Sequence, residues 1–211
     1  LDGDAVLFHE YAHHFMLHYF PAAYPAWYIE GFAEFMATTE FTLEGNAKIG
    51  LPAYYRSYGL VAGPELLSEK LLAIDANDLK SDEEQDAFYG RAWLLVHYLD
   101  RAVGREGQLA AYLQGINAGK TSLDSARATF GDLKQLDKEL ATYLRGKLTY
   151  ATRRKPTPAP TELSITALSP AASESMLIRL RSMRGVDLAE AKALVPKFKA
   201  VAAKYPDDAE A

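Results

Sequence analysis

The sequence contains no cysteine, which excludes disulfide cross-links, thiol catalysis and cysteine-ligated zinc. Any transition metal the chain holds must therefore be bound by histidine and carboxylate. No apolar run approaches the roughly 20 residues that a membrane-spanning helix requires, so no membrane span is expected. The opening residues, Leu1-Asp2-Gly3-Asp4, lack the basic-then-apolar pattern of a secretory leader. They also lack an initiator methionine and any strand-forming segment ahead of the first histidines, so the chain reads as a fragment. There is no basic excess either, since 23 Lys and Arg stand against 28 Asp and Glu for a net charge of −5. The densest basic cluster, Arg153-Arg154-Lys155, reads as a solvated run, and nucleic acid is not an expected partner.

What is present is the composition of a folded domain with a smaller appendage: 211 residues, 49% hydrophobic and 24% charged. The patterning predicts a mainly α chain. Phe8, Ala12, Phe15 and Tyr19 recur at helical spacing over residues 4–20, and Pro21 ends the run. A second helix is expected from Pro25 to about Thr39, with Trp27, Phe32, Phe35 and Met36 as its apolar set. Between residues 40 and 52, Phe41, Leu43, Ile49 and Leu51 flank Glu44-Gly45-Asn46 and suggest a small β-hairpin, followed by an aromatic loop carrying Tyr54, Tyr55 and Tyr58. Helical periodicity then runs over 65–74, 82–103, 106–116, 122–130 and 133–151, a helical bundle. Alternate prolines in Lys155-Pro156-Thr157-Pro158-Ala159-Pro160 cannot continue a helix. The expected organisation is thus a core over 1–152, a linker over 153–161, and a tail over 162–211. The tail reads as a possible strand at 162–167 and helices at 171–183 and 188–204, an ending similar to the start of a tetratricopeptide repeat region.

Chemistry concentrates near the N-terminus. His9 and His13 are four residues apart, so on a helix they stand about 40° apart on one face and can share one ion. Glu10 is offset about 60° from His13, near enough to address a water at the metal and poorly placed to ligate it. Its natural role is general base. A catalytic zinc needs a third protein ligand and one open position. Glu30, with sixteen residues between it and His13, can supply that ligand from the next helix across a short turn. Glu34, one turn further, can accept the second ring N–H of His9 or His13 and fix its tautomer. His14 and His18 form another i, i+4 pair, but Phe15 follows His14 where a base would be needed, so they read as structural or solvent-facing.

His9-Glu10-x-x-His13 followed by Trp27-Tyr28-Ile29-Glu30-Gly31-Phe32-Ala33-Glu34 resembles the gluzincin zinc metallopeptidases, the thermolysin-like and aminopeptidase-like zincins of the peptidase MA kind. The resemblance is specific over residues 4 to about 40 and loose to about 150. Ile29 stands where Asn often precedes the ligand Glu, and the His-to-Glu interval is slightly short, which bears on substrate preference more than on metal. The resemblance implies Zn²⁺ on His9, His13 and Glu30, Glu10 as catalytic base, and a Tyr or His from the helical half as oxyanion donor. Tyr89 is the first candidate for that donor, with His97 and the loop tyrosines behind it. It also implies a peptide or protein substrate and an extracytoplasmic, periplasmic setting. The sheet that such enzymes place before the active-site helix, and that usually pairs with substrate, is missing here, so this fragment is expected to be weakly active or inactive. The competing reading is a helical protein-interaction module with a structural or vestigial zinc site, its tail recruiting a protein partner. Glu10 distinguishes the two, because a structural site has no use for a carboxylate beside an open coordination position. A zinc hydrolase acting on another substrate is a third reading.

Overall fold

The computed structural model describes residues 2–74, 78–155, 164–183 and 185–209. The chain divides into two compact units, Leu1–Pro156 and Thr157–Ala211. It is mainly α, with one small three-stranded antiparallel sheet.

The first unit opens with α1 (Gly3–Tyr19), whose first turn is capped by Asp2 accepting from the Ala5 amide at 2.8 Å. The side chains that α1 buries are Ala5, Ala12 and Met16, not the expected stripe of Phe8, Ala12, Phe15 and Tyr19. Phe15 and Tyr19 are exposed, together with Leu7 and Tyr11. The helix is apolar on nearly every side, so its periodicity does not single out one face. The face it turns inward is the one that carries His9 and His13. The small Ala5 and Ala12 let α1 lie close to α2 (Ala26–Ala37).

α2 starts immediately after Pro25, whose ring holds φ at −72° and needs no amide donor. It buries Trp27, Gly31, Ala33, Glu34, Phe35 and Ala37. Trp27 Nε1 donates to the Tyr112 hydroxyl at 2.8 Å, which ties the start of α2 to the bundle. Gly31 is required by proximity, because a Cβ there would sit 2.6 Å from the Ala92 carbonyl oxygen.

The expected hairpin forms from β1 (Glu40–Phe41) and β2 (Ala47–Ile49), with Gly45 at φ 81° in its turn. A third strand, β3 (Ala151–Arg153), adds antiparallel to β2. The helical reading of 133–151 was too long, because Gly146 takes an extended conformation (φ −83°, ψ −172°) and ends the helix at Arg145. Arg153, placed in the linker by its composition, belongs to the sheet.

The aromatic loop is a short 3₁₀ turn, Tyr54–Arg56, running into a π-helical turn, Tyr58–Ala62. The bundle follows as α3 (Ser68–Ala73), α4 (Asp82–Arg101), α5 (Gln108–Asn117), α6 (Ser122–Phe130) and α7 (Leu133–Arg145). Ser81, Thr121 and Asp132 cap α4, α6 and α7 through their side chains. α4 is the central member, its middle residues Ala92, Trp93, Leu94, Leu95 and Val96 all buried, and it forms the floor on which α2 rests.

The second unit is a pair of helices, α8 (Pro170–Met183) and α9 (Leu188–Lys204). Among the described residues its buried hydrophobic side chains are Ala171, Ala172, Leu194 and Val201, and Lys204 pairs with Glu174 at 2.6 Å. The strand expected over 162–167 is not formed by residues 164–167, and residues 162–163 lie outside the described residues, as does the proline-rich stretch 156–160. Among the described residues no helix is long and apolar enough to cross a membrane.

Candidate metal centre

Helix geometry brings His9 and His13 to one side of α1, and the turn through Pro21 and Pro25 folds α2 back so that Glu30 and Glu34 face them. The two Nε2 atoms stand 3.0 Å apart. Glu30 Oε2 lies 3.4 Å from each of them. A tetrahedral ion with ligands about 2.1 Å away separates neighbouring ligand atoms by about 3.4 Å. Two edges of the His9–His13–Glu30 triangle match that spacing, and the His–His edge is somewhat shorter. The donor set, two imidazoles and one carboxylate with a side open to solvent, is one that zinc takes in catalytic sites. The side chains of all three are between 16% and 19% exposed, so the triangle is recessed without being sealed.

The state of the protons supports the same fit. Glu34 Oε1 is 3.2 Å from His9 Nδ1, which makes that nitrogen the donor and leaves Nε2 aimed at His13 and Glu30. Three electron-rich atoms then converge where only a proton or a cation can sit between them. Burial works against a charged His9, but the hydrogen bonds and charges of Glu30 and Glu34 outweigh it and raise the imidazole's pKa to about 9. Burial likewise opposes a charged Glu30, yet His13 and His9 outweigh it and hold the carboxyl down at about 2. His13 Nδ1 is buried with no hydrogen-bond partner among the described residues.

No family model, curated protein or solved structure matches this chain.

Glu10 follows His9 on α1 and is exposed. Tyr89, from α4, meets His9 edge-to-face with ring centroids 6.3 Å apart. Its hydroxyl pKa is raised by burial first and then by Glu30, with Glu34 and Glu10 adding to it and Arg56 opposing, so the phenol lies within the field of the whole cluster. His97 does not join it. It is fully buried, donates from Nε2 to the Gly50 carbonyl at 2.9 Å, and receives the Tyr143 hydroxyl at Nδ1. Tyr54 and Tyr58 are exposed, and His14 and His18 stack on each other on the outer side of α1.

Two residues of the cluster escaped the sequence reading. Arg56 reaches Glu34 with Nε at 2.9 Å and Nη2 at 2.8 Å, a two-pronged contact with both carboxylate oxygens. Asp86 receives Arg56 Nη1 at 3.0 Å and the Gly59 amide at 2.7 Å. A Cβ on Gly59 would lie 2.4 Å from the Asp86 carbonyl oxygen, so this second glycine is what lets the π-helical turn close on α4. Glu34 is fully buried, and with Arg56 its carboxyl is held at about 2 against the opposing effect of burial. The only signal in the sequence was one of accounting. A carboxylate on the buried face of α2 needs a cation, and the chain has several arginines to choose among.

Proposed function

We propose that this chain carries the active site of a zinc-dependent metallopeptidase, with Zn²⁺ on His9, His13 and Glu30 and with Glu10 as general base. The observation that carries the reading is the triangle of ligand atoms, with edges of 3.0, 3.4 and 3.4 Å, its side chains 16% to 19% exposed. Zinc bound there supplies a Lewis acid, which makes water acidic near neutral pH and polarises a carbonyl. Glu10 takes the proton from the attacking water and returns it to the leaving amine. Glu34 accepts the Nδ1 proton of His9 and keeps Nε2 directed at the triangle. Tyr89, at the edge of His9, donates to the developing oxyanion.

The test is zinc stoichiometry by elemental analysis after stripping loosely held metal and restoring one equivalent, with peptide hydrolysis measured on the same samples. Wild type and Glu10→Gln are expected to hold about one zinc and His13→Ala far less, because His13 ligates and Glu10 does not. Hydrolysis is expected to drop by about 10²-fold or more in Glu10→Gln. A wild-type chain that retains no zinc, or a Glu10→Gln variant as active as wild type, removes the reading.

A further inference from the structure

We propose that Arg56 is the positioning residue of this centre, its guanidinium gripping both oxygens of Glu34 so that His9 is held with Nε2 turned toward the metal position. The inference rests on the metal reading above and extends it to a residue outside the sequence motif. The His9 ring is fixed from behind by a single carboxylate oxygen, Glu34 Oε1, and that same oxygen accepts Arg56 Nη2. The second oxygen, Oε2, accepts Arg56 Nε. A carboxylate held by one contact can turn about its last side-chain torsion, whereas one held by two parallel N–H groups cannot. The grip is in turn fixed from the far side, because Asp86 takes Arg56 Nη1 and is itself tied to the Gly59 amide. The guanidinium also lies 4.8 Å over the Tyr89 ring, so one side chain orients both the His9 ligand and the candidate oxyanion donor. Arginine is needed for this, since a lysine ammonium offers a point charge without a planar fork.

The experiment measures zinc affinity by competition against a chromophoric chelator for wild type, Arg56→Gln, Arg56→Lys, Glu34→Gln and the double variant Glu34→Gln/Arg56→Gln. Metal-free melting temperatures are recorded in parallel. Carboxylates behind metal-ligating histidines are typically worth 10- to 100-fold in affinity, so each of the two Gln substitutions is expected to weaken zinc binding by about that factor. If Arg56 acts through Glu34, the double variant binds no worse than the weaker single variant. Arg56→Lys is expected to recover part of the loss, and it carries the test should Arg56→Gln fail to fold. A separate readout is the His9 Nδ1–H resonance in ¹⁵N-labelled, zinc-free protein. It is expected to be protected from solvent exchange in wild type, less protected in Arg56→Lys, and unprotected in Arg56→Gln. Arg56 substitutions that leave zinc affinity and the His9 proton unchanged, or losses that multiply in the double variant, overturn the proposal while leaving the metal reading intact. A wild type that binds no zinc but whose His9 proton still depends on Arg56 overturns the metal reading and keeps the relay.

Discussion

At the scale of single residues, this chain contains two histidines of opposite character. His9 is surrounded by carboxylates and its pKa is raised to about 9, while burial lowers that of His97, with the Gly50 carbonyl opposing. A histidine whose folded pKa lies below its unfolded value of about 6.5 leaves the unfolded chain binding more protons in acid. Its contribution to stability is therefore present above about pH 6.5 and is lost as pH falls from there toward the folded value. His97→Gln is expected to cost about 1–3 kcal/mol near pH 7.5, because it disturbs buried hydrogen bonds to Gly50 and Tyr143. The difference from wild type should shrink by pH 5.5. Taking the difference isolates His97 from His9, whose raised pKa acts with the opposite sign, its contribution being lost as pH rises from about 6.5 toward 9. Urea midpoints at the two pH values check this, and a gap that stays constant would mean that His97 is not held neutral by the fold.

At the scale of elements, the crossing of α2 over α4 decides where Glu30 lies, and that crossing depends on Gly31. A methyl group there meets the Ala92 carbonyl oxygen at 2.6 Å and Val96 Cγ2 at 2.9 Å, the first a backbone atom of a buried helix that cannot easily yield. Alanine gains about 1 kcal/mol of helix propensity over glycine. Overpacking a well-filled interior costs roughly 1–3 kcal/mol or more. Gly31→Ala is therefore expected to lower stability, and also to weaken zinc binding because the displaced residue adjoins Glu30. A variant as stable as wild type, with undiminished zinc affinity, would place the cause of the glycine elsewhere. The helices themselves were legible in the sequence wherever a proline marked their ends, as at Pro21 and Pro25. The inward face of α1 was not legible, because Phe15 and Tyr19 are as apolar as Ala5 and Met16 and only the partner helix decides between them. Nor was β3, whose three residues carry no period long enough to read and form a strand because β2 offers a free edge. The grouping of His9, His13 and Glu30 was legible because all three lie on two adjacent helices joined by a short turn. Arg56 and Asp86 were not, since their places follow from how the loop packs on α4, a fact of tertiary structure.

At the scale of the whole chain, the two units differ in what holds them together. Unit Leu1–Pro156 has a large core around α4, with Trp27, Phe88, Trp93 and Tyr112 all buried. Among its described residues, unit Thr157–Ala211 buries the hydrophobic Ala171, Ala172, Leu194 and Val201, a small core. Both tryptophans of the sequence, Trp27 and Trp93, lie in the first unit and are at most 1% exposed, so tryptophan fluorescence reports that unit alone, whereas far-UV circular dichroism reports helices from both. Heating should produce an early loss of helix to which fluorescence is silent, followed by a transition that both signals record. Zinc at about 100 times its dissociation constant adds about 2.7 kcal/mol to whatever unit binds it. For a unit of this size that corresponds to a rise of roughly 5–10 °C. Because His9, His13 and Glu30 all belong to the first unit, the rise should appear in the later transition only and be reversed by a chelator. Superimposable transitions, or a shift of both by the same amount, would show that the units unfold as one and that the metal's effect is not confined to α1 and α2.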